Sequence, residues 1–567
     1  MEYEELVKNL NHVRAVSFEK EEKPREGYVE EYVDKKSGLS ICFTRHFPLN
    51  IPDFFVKPAV QPRPHVESNG KICLFDSSSI LLNDQRLNEL IVECYDQAIG
   101  VLEIEEGSAA FDTEILREAD AYWLQKATKF IVSTVDLTKV SYANYEMLSY
   151  SDSGVITFYV SDNVEKTRAL GDRLSNYTKN KKYFNACTVI RLKKGSPIIP
   201  IKKRYGWNEL RQYIRKNTDN GVKRRFQQHT DEEKKIVIES IILVLPTTFG
   251  EVAFGFLIMG RSNRWVAMSH MLGLECTPLY VRRMDYGYLT NRAGAMSELC
   301  DKQVLLLGCG SVGGYIAENL CKMGIRTLDI LDKDSFSEEN LFRHYLGMSA
   351  LTSREHNKAA LMKQQLESEF LDIDVDSLDY RGRTVEAYLE NDDRLKNYDL
   401  IISALGEPTL NLRINKIIHD KKIKVPFICA YNEPYGLGGH SILVNHSEEG
   451  CLECLYTEID STNLRENRVS LVQPGQQFKK NISGCGSAFV PYSALDSQQT
   501  AINTVRLAVS VLRGDEKENC IVTWFGDDKH FLSQGFITSD FYQINKNKVQ
   551  VRLPIKRNCH CRVCKEG

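Results

Sequence analysis

Residues 304–334 read VLLLGCGSVGGYIAENLCKMGIRTLDILDKD, a strand, a glycine turn, a helix and a second strand within one short segment. An apolar run without polar alternation is a strand buried on both faces, and a helix returning the chain at once to a second such strand makes the pair parallel. YDLIISAL (398–405) and VPFICAYN (425–432) continue the pattern, so from about residue 285 the chain is predicted to form a doubly wound α/β sheet. In GCGSVG, Gly308, Gly310 and Gly313 permit a tight turn, close approach of a phosphate and packing of helix on strand. That loop alone fits a nicotinamide oxidoreductase as well as an ATP enzyme. Asp332, ending the second strand, is placed to accept ribose hydroxyls in either case.

The stretches SEENLFRHYL (337–346) and REHNKAAL (354–361) separate the two readings. Asn340, Arg343 and Lys358 bring an amide, a guanidinium and an ammonium toward the same phosphates. Displacement at an α-phosphorus needs such a set, and hydride transfer does not. A solvated helix face is the plain alternative for any one of these charges; three of them behind a glycine loop and an acid favour the phosphate role.

Two CxxC pairs, CLEC (451–454) and CRVC (561–564), supply Cys451, Cys454, Cys561 and Cys564, a complete thiolate set for structural Zn²⁺. A redox CxxC would need only one pair. Cys559 is a spare neighbour.

The glycine loop together with DILDKDSFSEENLFRHYL resembles the ThiF/MoeB adenylating superfamily, which includes the activating enzymes of ubiquitin-like proteins, over roughly 285–567. The resemblance implies that Asp332 holds the ATP ribose and that Asn340, Arg343 and Lys358 act on the phosphates. Arg292 would reach the ATP of a partner subunit, implying a homodimer. Where the family has a Mg²⁺-binding aspartate this chain reads ALGEPTLN (404–411), leaving Gly406 in place and Glu407 as the substitute ligand. The resemblance also implies that the zinc knot pins the C-terminal segment without being catalytic.

Cys485 lies between glycines in QPGQQFKKNISGCGSAFVPYSALDSQQTAINTVRLAV (473–509), read as the end of a loop immediately before a helix. On residues alone it is an ordinary loop cysteine; by resemblance to autophagy-type activating enzymes it is the thioester-forming nucleophile. Cys520, in KENCIVTWF, has strand-like apolar neighbours and is the weaker candidate. In the N-terminal part, Cys73 sits in QPRPHVESNGKICLFD (61–76), where packing is the plain reading for a cysteine beside Ile and Leu. Residues 39–76, above all GKICL (70–74), resemble the proline turn and cysteine of ubiquitin-conjugating enzymes, a resemblance extending over roughly 1–130. It implies that Cys73 is a thioester nucleophile. That family's HPN tripeptide is replaced by Arg63, Pro64 and His65, with His65 at the asparagine position as hydrogen-bond donor or proton carrier.

At 567 residues the chain exceeds one core. The expected fold is multidomain α+β and α/β: a ubiquitin-conjugating-like α+β domain at 1–140, a linking α/β domain at 141–280, and a Rossmann-like ThiF adenylation domain with a zinc site at 281–567. Helices are expected at 87–102 and 112–131, and two buried strands within 236–260, which is broken by Glu239, Pro246 and Glu251 and so does not read as a membrane span. With 73 basic and 76 acidic residues, no global field points to nucleic acid or a membrane surface. The charged N-terminus lacks the apolar core of a signal peptide, so the expected location is the cytoplasm, where sixteen cysteines serve as thiols and metal ligands.

The domain order resembles the fused transferase-like proteins of bacterial CBASS anti-phage operons. That implies ATP-dependent activation of the C-terminus of a cGAS/DncV-like nucleotidyltransferase, relay through Cys485 and Cys73, and transfer to a lysine of a target protein, with ATP, Mg²⁺ and structural Zn²⁺ as cofactors. A sulfur-carrier adenylyltransferase, or an adenylating enzyme with a noncatalytic N-terminal interaction module, are the alternatives.

Overall fold

The computed structural model describes residues 3–57, 63–75, 82–83, 85–152, 155–175, 183–378, 385–391, 393–458, 465–478, 480–481, 488–559 and 561–564. They form two compact units, Met1–Asp285 and Tyr286–Gly567. Among the described residues no helix is long and apolar enough to cross a membrane.

The first unit contains two separate sheets. Helix α1 (Tyr3–Arg14) precedes an antiparallel meander of β1 (Phe18–Lys20), β2 (Glu30–Asp34), β3 (Leu39–Phe43), β4 (Asp53–Phe55) and β5 (Lys71–Ile72), in that order across the sheet. Helix α2 (Leu87–Leu102) has the expected bounds and buries Ile91, Cys94, Ala98 and Val101, a spacing of three and four that keeps one face inward. These side chains join Leu10, Ile41 and Phe54 in one core.

Helix α3 (Ala109–Lys126) is followed by β6 (Lys129–Ser133), so the apolar end of the segment expected to be helical is strand instead. The reason is tertiary: KFIVS pairs in parallel with two strands, β8 (Val155–Val160) and β13 (Glu275–Arg283). Those pairings close a barrel through β7 (Tyr142–Asp152), β9 (Tyr183–Arg191), β11 (Glu233–Thr247) and β12 (Gly250–Ala267), with β10 (Tyr205–Gly206) attached to β13. The long apolar window thus forms the hairpin β11–β12. Along β11 the side chains alternate: Ile242 and Val244 fill the barrel, whereas Ile241, Leu243 and Leu245 meet α3, α5 (Trp207–Lys216) and α6 (Asn220–Asp231) outside. Helix α4 (Val164–Leu174) covers β7 and β8.

The second unit opens with α7 (Tyr286–Arg292) and carries a sheet in the order β16 (Asp374–Ser377), β15 (Thr327–Leu331), β14 (Gln303–Leu307), β17 (Leu400–Ser403), β18 (Phe427–Asn432), β19 (Gly438–Val444), β24 (Cys520–Phe525) and β25 (Gln550–Pro554). The first five are parallel and the last three antiparallel. Two short ribbons, β20 (Tyr456–Glu458) with β21 (Arg465–Asn467) and β22 (Lys480–Asn481) with β23 (Ala488–Phe489), lie outside it. Val304 and Leu306 of β14 pack beneath α8 (Ser311–Met323), α10 (Lys358–Glu369) and α13 (Ala494–Leu512); a short helix α9 (Met348–Leu351) adds Ala350 to that side. Leu305 and Leu307 pack on the other face beneath α11 (Val385–Asn391) and α12 (Pro408–Asp420). Both faces are covered, as an apolar parallel sheet requires. The chain leaves β14 toward β15 on one side and returns as β17 on the other, so the strand order reverses at β14, and the crevice of such a sheet opens there.

Candidate active sites and metal centre

At the end of β14 the backbone turns at Gly308 with φ +86, and Gly310 caps α8. A Cβ at Gly313 would lie 2.0 Å from the carbonyl oxygen of Gly308, so that position admits only glycine. A Cβ on Gly310 would meet nothing within 4 Å, which leaves open space where a phosphate would enter. Asp332 closes the other side: its carboxylate accepts the N–H groups of Cys309 and Asp334, each at 2.8 Å. Burial pushes its carboxyl up, and those two N–H groups partly oppose the push.

The structure brings Lys358 to the same place. Asn357 caps α10 and donates from Nδ2 to the Asp332 carbonyl at 2.8 Å, and Lys358, the first residue of α10, is buried with Nζ 3.6 Å from the Asp334 carboxylate. Asn340 is buried in a turn, its Oδ1 accepting the N–H of Ser337, and Arg343 follows half-buried with its N–H on the Asn340 carbonyl. The residue that ties this turn to the glycine loop is His344, which sequence reasoning passed over. Its Nε2 donates to the Cys309 carbonyl at 2.6 Å while Nδ1 accepts the N–H of Leu346. Burial pulls the imidazole down to about 4, so it stays neutral and holds one tautomer. The available signal was a histidine directly after Arg343, opposite Gly314, where a Cβ would approach the ring within 3.3 Å.

Glu407 is exposed at the N-cap of α12, directly after Gly406 at φ +67. It emerges past β17, beside the glycine loop, because the N–H of Ala404 bonds the carbonyl of Leu307. Arg292 ends α7, exposed, with Nη1 donating to the Tyr288 hydroxyl at 3.3 Å.

The four thiols of the CxxC pairs converge. Cys451 Sγ lies 3.9 Å from Cys454 and 3.6 Å from Cys561, and Cys454 lies 3.7 Å from Cys564. A tetrahedron with Zn–S bonds of about 2.3 Å has edges of about 3.8 Å, so the donor set and its spacing fit Zn²⁺. Backbone N–H groups of Asn558 and Cys564 donate to the sulfurs of Cys454 and Cys561, and such bonds steady thiolates. Cys559 stays exposed outside the cluster.

Cys485 lies outside the described residues. Around it, α13 begins only at Ala494, after β23 and the capping Ser493, so it does not follow Cys485 immediately. The hydroxyl of Tyr492 is 3.1 Å from that of Ser311 in the glycine turn, and Tyr435 donates its N–H to the Pro491 carbonyl. Cys520 is buried in β24, and burial pushes its thiol up to about 11.

In the first unit Cys73 is exposed directly after β5, beside a groove of about 710 Å³ whose lining includes Leu49, Ile51, Asp53, Lys71 and Phe75. Although the residue is exposed, the protein around it partly desolvates the sulfur and raises its pKa, with Glu67 and Glu118 adding to the rise, so the resting group is a thiol. His65 sits at φ +59, and it is its carbonyl that accepts the Cys73 N–H at 2.7 Å. The imidazole turns to two carboxylates, Nδ1 at 2.9 Å from Glu118 and Nε2 at 3.4 Å from Glu114.

Residues 286–563 match the model of the ThiF family. The chain is 23% identical over 461 residues to the ATP-dependent ubiquitin transferase-like protein Cap2 of Pseudomonas aeruginosa, covering 77% of this chain and 78% of that one. It is 28% identical over 232 residues to the Cap2 protein of Escherichia coli, with 39% and 37% covered. Among solved structures, E. coli MccB with MccA-N7isoASN aligns with 47% of this chain and 68% of its own, at 17% identity and a TM-score of 0.34. Residues 286–563 therefore form a ThiF-family domain, and the chain as a whole is a ThiF-type relative of the Cap2 transferase-like proteins.

Proposed function

We propose that the chain activates the C-terminal carboxylate of a protein with ATP and passes the acyl group through thioesters to an amine. The observation that carries this reading is an exposed thiol, Cys73, beside an open groove in the same chain as a glycine loop backed by Asp332 and Lys358. The transferase-like names of its relatives support it.

A substrate carboxylate attacks the α-phosphorus of ATP and pyrophosphate leaves, with Asn340, Arg343 and Lys358 stabilising the charge that develops on the phosphates. Asp332 positions the ribose; Glu407 is the carboxylate available to Mg²⁺, whose bound charge would offset that of the phosphates. The Cys485 thiolate attacks the acyl-adenylate and releases AMP. The Cys73 sulfur then takes the acyl group and frees Cys485, and an amine, in our reading a lysine, forms the amide and frees Cys73. Splitting amide formation this way replaces one hard step with easier ones.

Within the same proposal, the donor is a cGAS/DncV-like nucleotidyltransferase of a CBASS system and the site of action the cytoplasm. The protein works as a homodimer in which Arg292 reaches the partner's ATP, and Cys451, Cys454, Cys561 and Cys564 hold Zn²⁺. The working division is a conjugating-like domain at 1–140, a linker at 141–280 and an adenylation domain at 281–567.

Intact-protein mass spectrometry under nonreducing conditions tests the relay, after incubation with ATP, Mg²⁺ and a candidate nucleotidyltransferase. A thiol-labile adduct is expected in wild type, none in Cys485→Ala, and one stalled on Cys485 in Cys73→Ala. AMP formation without an adduct on either cysteine overturns the relay and leaves a sulfur-carrier adenylyltransferase. Lys358→Ala is expected to lower adenylation, read by ATP–pyrophosphate exchange, by about 10²–10³-fold.

A further inference from the structure

Helix α3 presents two faces with different duties. Ile115, Ala119 and Trp123 enter the core outside the barrel, and the Trp123 indole N–H bonds the Leu279 carbonyl of β13 at 3.1 Å. Glu114, Glu118 and Tyr122, at four-residue spacing, form a second stripe along the same helix.

That stripe grips the turn that ends at the cysteine. One Glu118 oxygen accepts the His65 backbone N–H at 3.0 Å and the other lies 2.9 Å from Nδ1 of the same residue, so one carboxylate holds both the backbone and the ring. The Tyr122 hydroxyl donates to the Arg63 carbonyl at 2.8 Å and contacts Glu118 as well. The His65 backbone, at φ +59, occupies a region uncommon for residues with a side chain, and such a conformation persists only where its surroundings hold it. The held residue in turn receives the Cys73 N–H at 2.7 Å.

We propose that Glu118 is a positioning residue for Cys73, and that the barrel, acting through α3, sets the geometry of the cysteine loop. The functional meaning rests on Cys73 being the acyl-accepting thiol proposed above; the structural content does not. Glu118 touches His65 and not the reacting sulfur, so its part is to keep the loop in one conformation. The barrel thereby becomes part of the cysteine site.

Amide hydrogen exchange on the full chain tests this, with Glu118→Ala, Glu118→Gln and Tyr122→Phe compared with wild type. Glutamine keeps an acceptor for the His65 N–H and, with the imidazole proton on Nε2, can still bond Nδ1; alanine keeps neither. Glu118→Ala is expected to speed exchange at His65 and Cys73 by about tenfold or more, with the barrel strands unchanged and Glu118→Gln within about threefold of wild type. If Glu118→Ala does not fold, Tyr122→Phe carries the test, with a rise of a few-fold at Cys73 and none in the barrel. Unchanged exchange at both amides, or a uniform rise across the first unit that Gln does not rescue, overturns the proposal. Acyl uptake by wild-type Cys73 is scored separately. Its absence alongside the local exchange effect would overturn the relay and leave the positioning role standing.

Discussion

The glycine loop of the second unit and the turn that ends at Cys73 in the first are both short, and they are held in opposite ways. The glycine loop is shaped mainly by its own residues: Gly308 turns, Gly313 lets α8 press onto the turn, and Asp332 caps it from the adjacent strand. The cysteine loop contains a side-chain-bearing residue at positive φ, His65, and takes its order from Glu118 and Tyr122, more than fifty positions away in the chain. A loop shaped from within can be read as a motif. One shaped from outside shows only its cysteine.

If that contrast holds, the largest effect belongs to Gly313→Ala. Its Cβ would meet backbone that cannot move aside, so ATP–pyrophosphate exchange should fall below detection and calorimetry should show the second unit destabilised by about 3 kcal/mol or more. Activity near wild type would show that the loop is less self-determined than its geometry indicates. Cys454→Ser should come next: about one Zn²⁺ per chain by elemental analysis in wild type, lost in the variant, with the melting temperature of the second unit reduced by ten degrees or more, an order-of-magnitude expectation for losing a structural metal site.

His344 gives a smaller, pH-dependent effect. Its imidazole is pulled from 6.5 down to about 4 in the fold, so the unfolded chain binds the proton more readily. The stability this neutral histidine confers is therefore complete above about pH 6.5 and lost as pH falls toward 4, by about 3 kcal/mol in all. Urea titrations of wild type and His344→Gln at pH 7 and 4.5 should show the wild type losing more of its stability than the variant; parallel losses would remove His344 as the link between turn and loop. The smallest effect lies at Cys73. Because its thiol is raised, alkylation by iodoacetamide should be slower at pH 7 than for a free cysteine and still climbing above pH 9, whereas a plateau below pH 8 would mean that the site activates its own nucleophile.

Particular residues mark how far the chain could be read before it was folded. Helix α2 was legible to its ends because its apolar spacing keeps period, and the glycine turn and the convergence of the two CxxC pairs were legible because backbone freedom and residue spacing are local. The strand 129–133 was not, since KFIVS continues an apolar helical pattern until two parallel neighbours claim it. Nor was barrel closure, which depends on β6 meeting β13 across some 150 residues of chain. His344 was hidden for a similar reason: a histidine beside an arginine looks like surface until its ring is seen on the Cys309 carbonyl.

The parallel sheet with its glycine turn, the two CxxC pairs and a cysteine after a proline turn are readable from the chain alone, because they follow from backbone freedom, periodicity and residue spacing, which are local quantities. That Lys358 reaches the Asp332 cluster, that a neutral histidine joins the turn bearing Asn340 and Arg343 to the glycine loop, and that the cysteine loop leans on a helix rooted in the barrel emerge from the packed fold alone. Those are matters of which distant surfaces bury one another, and burial is a property of the whole fold.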